Sequence, residues 1–109
     1  MKIDINGIRW SIIETLPTDT RLYINEKLCF GICEYAPKNI IIDKTLKKDV
    51  KKQTLRHELT HAFINGFFID KKETYSEEEL AEFVALYSAK ICEITDKYFS
   101  DNDESNTDD

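Results

Sequence analysis

The hydrophobic pattern of this 109-residue chain changes period near Lys47, and that change points to an α+β fold. Before it, apolar residues recur every second position. Ile3 and Ile5 alternate with polar neighbours, Asn6-Gly7 gives a type I′ hairpin signal, and Ile8 to Thr15 resumes the alternation. Leu16 to Thr20, with its proline and Asp, reads as a loop, and Leu22 to Asn25 as a short strand. Phe30 to Tyr35 and Asn39 to Asp43 follow as two strands joined around Ala36-Pro37-Lys38. The run Ile40-Ile41-Ile42 is β-branched on both faces, which suits a strand covered on at least one side.

Beyond Lys47 the spacing is helical. A first helix is predicted from about Leu46 to Asn65, ended by the left-handed conformation that Asn65-Gly66 offers. Phe67 to Thr74 is a connecting loop. Ser76 with Glu79 three residues on forms a capping box for a second helix reaching Phe99. The expected fold is a small, mostly antiparallel sheet followed by two long helices, one domain over residues 1–99. Residues 100–109 are read as an acidic, disordered tail.

Charge narrows the function classes. Residues 101–109 hold five of the 21 acids and no base, which leaves 16 acids against 15 bases in the body. A near-neutral body lacks the basic stripe that a nucleic-acid groove needs. The chain has no stretch of about 18 apolar residues, so no membrane span is expected. Its first seven residues carry charge and a turn in place of a signal peptide's apolar run, which predicts a cytoplasmic protein. Cys29, Cys33 and Cys92 are then expected as thiols.

Within the first predicted helix lies His57-Glu58-Leu59-Thr60-His61. At about 100° per residue, His57 and His61 stand only about 40° apart and one turn up, so both imidazoles can reach one ion. Glu58, about 100° from His57, flanks the same place without having to coordinate. Leu55, Leu59 and Ala62 lie on the opposite, buried side. These are the chain's two histidines, and the bland alternative, a polar helix face, would place charged rather than apolar residues around them.

Catalytic zinc takes three protein ligands and leaves one position open. On the second helix Glu78, Ala81, Glu82, Ala85, Ala89 and Cys92 share a stripe suited to close packing on the histidine-bearing helix. Leu80, Phe83, Val84, Tyr87, Ile91 and Ile94 form a broad apolar band for the sheet. Glu78 and Glu82 are therefore the eligible acids.

The stretch Thr54 to Ala62, followed by Glu78-x-x-Ala81-Glu82-x-Val84-Ala85, resembles the compact gluzincin metallopeptidases of the ImmA/IrrE type. It is most similar to small versions carried by phages and integrative elements. Gly31 to Tyr35 and Ile40 to Asp43 resemble the strands before the metal helix in such proteins, so the resemblance covers about residues 22–90. It implies a minimal zincin-like core in which Zn2+ is held by His57, His61 and Glu78, with Glu82 orienting a histidine or serving as alternate ligand. Two departures stand out: Glu82 where Asp or Asn is usual, and only 16 residues between His61 and Glu78.

The implied reaction is hydrolysis of a peptide bond with Glu58 as general base, and Tyr75 is the candidate donor to the oxyanion. In zincins the substrate lies along the sheet's edge strand, which here falls within residues 29–43. With nothing after the second helix to form another lobe, a shallow cleft and a narrow substrate range are expected. The substrate would be a peptide or protein, by resemblance a transcriptional regulator encoded by the same mobile element. The competing reading is a catalytically weak or inactive zinc-binding module used for protein interaction. An intact Glu58 argues against it, since binding alone needs no carboxylate beside the histidines.

Overall fold

The computed structural model describes residues 1–67 and 74–103, the last of them by its backbone alone. Alternating patterns produce strands where expected. β1 (Lys2–Ile5) and β2 (Ile8–Thr15) form an antiparallel hairpin. Its turn is Asn6-Gly7, with φ of 52° and 84°, the left-handed pair that a type I′ turn demands. β5 (Gly31–Glu34) and β6 (Asn39–Asp43) form a second antiparallel pair. Between these pairs lie a 3-10 turn (Thr20–Leu22) and a hairpin of β3 (Tyr23–Ile24) with β4 (Lys27–Leu28).

The sheet order is β1-β2-β6-β5. It is antiparallel except at its centre, where β2 and β6 run parallel from Ser11↔Asn39 to Thr15↔Asp43. Ile40, Ile41 and Ile42 are each at most 1% exposed, so β6 is covered on both faces. Ile40 and Ile42 belong to the main core with Leu55, Leu59 and Phe63. The 3-10 turn, with its fully buried Leu22, packs on β6 as well. β5 is the sheet's outer strand on the side opposite β1.

α1 (Lys48–Phe67) packs on β5 and β6. Leu55, Leu59 and Ala62 form its buried face as the spacing requires. It does not stop at Asn65-Gly66. Gly66 stays helical because Phe67 docks on Phe83 and Tyr87 of the next helix, and that packing outweighs a local stop signal. The predicted loop beyond Phe67 falls on 68–73, outside the described residues.

α2 (Glu77–Asp103) opens with the predicted capping box. The Ser76 N–H donates to the Glu79 carboxylate at 3.1 Å, and the Glu79 N–H donates to Ser76 Oγ at 3.1 Å. The helix runs four residues past Phe99, into the segment expected as tail. Buried Tyr98 and Phe99 hold that end down, and a Lys97–Asp101 pair at 3.3 Å bridges one turn. The rest of the expected tail, 104–109, lies outside the described residues.

The two faces of α2 do not pack as read from the sequence. The small stripe of Ala81, Ala85, Ala89 and Cys92 is exposed. The contact with α1 is made instead by the apolar band, with Phe67–Phe83 centroids 5.8 Å apart and Phe63–Tyr87 5.2 Å apart. Aromatic rings bury far more surface per residue than alanines, so they win the interface. Val84 and Leu80, expected in that band, are exposed.

A candidate metal site on the first helix

α1 turns opposite faces to the core and to a pocket of about 560 Å³. His57, Glu58 and His61 line this pocket, with Val50, Gln53 and Thr54 one and two turns earlier. The facing wall is Gly31, Ile32, Cys33 and Tyr35, and Ile24, Cys29 and Phe30 form one end.

The two imidazoles converge. His57 Nε2 and His61 Nε2 are 3.2 Å apart, with rings crossing at 73°. Two nitrogens each about 2.0–2.1 Å from a tetrahedral zinc ion stand about 3.3 Å apart, so the pair matches the bite of one ion. Burial and the charge on His57 lower the pKa of His61, favouring the neutral imidazole that a metal needs.

Glu58 is 7% exposed. Burial raises its carboxyl pKa, opposed by the nearby charge of His57. A carboxylate shifted toward neutrality is suited to exchanging protons there. Its depth follows from Gly31. A Cβ at position 31 would meet Thr54 Cγ2 at 2.7 Å and Glu58 Cγ at 3.1 Å, so the missing side chain lets helix and strand close on each other.

The predicted third ligand does not join the pair. Glu78 and Glu82 are exposed on α2, and among the described residues no group of three His, Cys, Asp or Glu is placed to hold a metal. The reason is the reversed face of α2, whose aromatic side took the contact meant for the small stripe. Tyr75 packs partly buried against the core and is absent from the pocket lining.

Two wall residues were not singled out from the sequence for this site. Cys33 is pushed up to about 12 by burial and by the charge of Glu58. Tyr35 is likewise pushed up to about 12, by burial first and then by Cys33, Glu58 and Tyr75. The signal for both was available: 31, 33 and 35 share one face of an extended segment, and Gly31 marks the face that touches α1. Ile24 of the hairpin and Phe30 just before β5 gave no comparable signal.

The acids and bases of the pocket thus form a polar floor on α1 and a mixed wall on β5, open at an apolar end. Among the described residues no helix is long and apolar enough to cross a membrane. A scan of protein-family models, a search of curated proteins and a search of solved structures each returned no match to this chain.

Proposed function

We propose that the chain is a zinc-dependent metallopeptidase of minimal, gluzincin-like design. The observation that carries this reading is the convergence of two imidazole nitrogens at 3.2 Å beside a buried carboxylate, inside a pocket large enough for peptide side chains. A solvent-facing polar stripe would not bury Glu58.

His57 and His61 are the residues that would hold the ion. Once bound, zinc would supply Lewis acidity toward a peptide carbonyl and an attacking water. Glu58 takes a proton from that water as its oxygen bonds to the carbonyl carbon, and returns the proton to the leaving nitrogen as the C–N bond breaks. The apolar end formed by Ile24 and Phe30 suits a bulky apolar side chain next to the scissile bond. A regulator encoded by a mobile element is the target that the resemblance suggests, and a cytoplasmic site of action goes with it.

The exposed position of Glu78 favours keeping a second reading, a zinc-binding module that serves interaction. Zinc titration of the wild type and of Glu78→Gln and Glu82→Gln, read beside turnover of an internally quenched peptide library, separates the two. The enzyme reading expects about one equivalent of zinc, no loss of affinity in Glu78→Gln or Glu82→Gln because both are exposed away from the histidine pair, and turnover lost in Glu58→Gln. Stoichiometric zinc with no difference in turnover between wild type and Glu58→Gln would leave the module. No zinc uptake would remove both.

A further inference from the structure

Tyr35 stands one residue beyond β5, on the face that Gly31 and Cys33 turn toward α1. It lines the pocket opposite His57, Glu58 and His61. Its ring is braced edge-on against buried Trp10, with centroids 6.3 Å apart and planes at 86°. Burial, and then Cys33 and Glu58, push its pKa up to about 12, so the hydroxyl keeps its proton. At 42% exposed, the residue also faces the opening.

Peptide hydrolysis needs a proton acceptor for water on one side of the carbonyl and a donor for the developing oxyanion on another. Glu58 comes from the helix. The phenol comes from the end of the strand across the pocket, held by a rigid aromatic partner, and carries one proton to donate. Tyr75, the donor expected from the sequence, is not in the lining.

We propose that Tyr35 donates a hydrogen bond to the oxygen of the scissile carbonyl as negative charge builds on it. The assignment rests on the hydrolytic reading above. Tyr35 supplies no proton to the product; the water proton travels through Glu58, and the phenol keeps its own.

The test uses the zinc-loaded full chain and two leucine-flanked pseudopeptides of one sequence. One carries a phosphinic group, which mimics the tetrahedral oxyanion, and the other a ketomethylene, which mimics the ground-state carbonyl. Anisotropy is read for wild type, Tyr35→Phe and Tyr75→Phe, together with zinc content. Tyr35→Phe keeps the ring on Trp10 and should retain zinc. It should weaken the phosphinic ligand by about 10²-fold and the ketomethylene by less than about threefold.

Unchanged phosphinic affinity, equal loss for both ligands, or the loss appearing in Tyr75→Phe instead would overturn the role of Tyr35. Each of these leaves the metallopeptidase reading standing, because wild type still binds the phosphinic ligand through its zinc. Failure of wild type to prefer the phosphinic ligand, with equal turnover in Glu58→Gln, would sink that reading and Tyr35 with it.

Discussion

Gly31 shows how much of a site can hang on a missing side chain. The 2.7 Å approach to Thr54 Cγ2 leaves no room for a methyl, so Gly31→Ala must push α1 off β5 at the level of Glu58. The expected cost is about 1–3 kcal/mol from overpacking, read as a lower denaturant midpoint at unchanged slope. Adding Thr54→Ser removes Cγ2 and should restore part of that loss, and strictly additive effects would refute the proposed contact. Cys33 offers a second check. With its pKa near 12, only about one thiol in 10⁴ is ionised at pH 8, whereas an ordinary thiol is substantially ionised there. Because the shift is upward, the thiol stays neutral at every pH below its pKa. Iodoacetamide followed by mass spectrometry should label exposed Cys92 at least about 10²-fold faster than Cys33. At this scale the sequence was most legible where spacing alone sets direction, as with His57, Glu58 and His61 on one helix. Cys33 and Tyr35 reach the same pocket from another element, and single-helix geometry cannot bring them in.

Among the elements, β3 falls within the short strand expected over Leu22 to Asn25, but β4 and its hairpin with β3 escaped the sequence because the turn is unusual. Asn25 and Glu26 both have positive φ, 50° and 69°, yet the pair carries no glycine to announce a type I′ turn. Its base is tied down by Cys29 N–H donating to the Leu22 carbonyl at 2.8 Å and Asp43 N–H donating to the Phe30 carbonyl at 2.9 Å. Ile24 and Phe30 are more than half exposed where they form the apolar end of the pocket, so they contribute little to stability. Ile24→Ser combined with Phe30→Ser should lower kcat/KM about 10-fold or more for peptides with a bulky apolar residue at the cleaved bond, through KM. Stability should shift by less than about 1 kcal/mol. Equal loss for small-residue peptides would place the apolar subsite elsewhere. In α2, the start was legible and the packing face was not. A capping box is a local device, and Ser76→Ala should cost about 1 kcal/mol. Which stripe of a helix meets its neighbour is decided by the partner's side chains, here Phe63 and Phe67, and the two stripes of α2 were separately plausible.

At the scale of the whole molecule, the parallel pairing of β2 with β6 was the least legible feature, since two Ile-rich strands whose partners lie 28 residues apart carry no local mark of register. The same pairing puts β5 at the edge and α1 across it, so the site spans elements that meet only in the folded state. Glu14 of β2 reinforces this by accepting from Lys51 of α1 at 2.7 Å and from the Tyr98 hydroxyl of α2. A metal held by the helical His57–His61 pair would bind the native chain more tightly than the unfolded one, and that difference would add to folding free energy. At free zinc 100-fold above its Kd the gain is about 2.7 kcal/mol. For a domain of this size that raises Tm by about 10–20 °C. Chelation should reverse the shift. His57→Ala and His61→Ala should each abolish most of the shift with little effect on the metal-free Tm, because both rings sit on the exposed side of α1. Glu58→Gln should keep the shift, which separates holding the ion from using it. A zinc shift retained in both histidine variants would mean that the ion sits elsewhere in the chain.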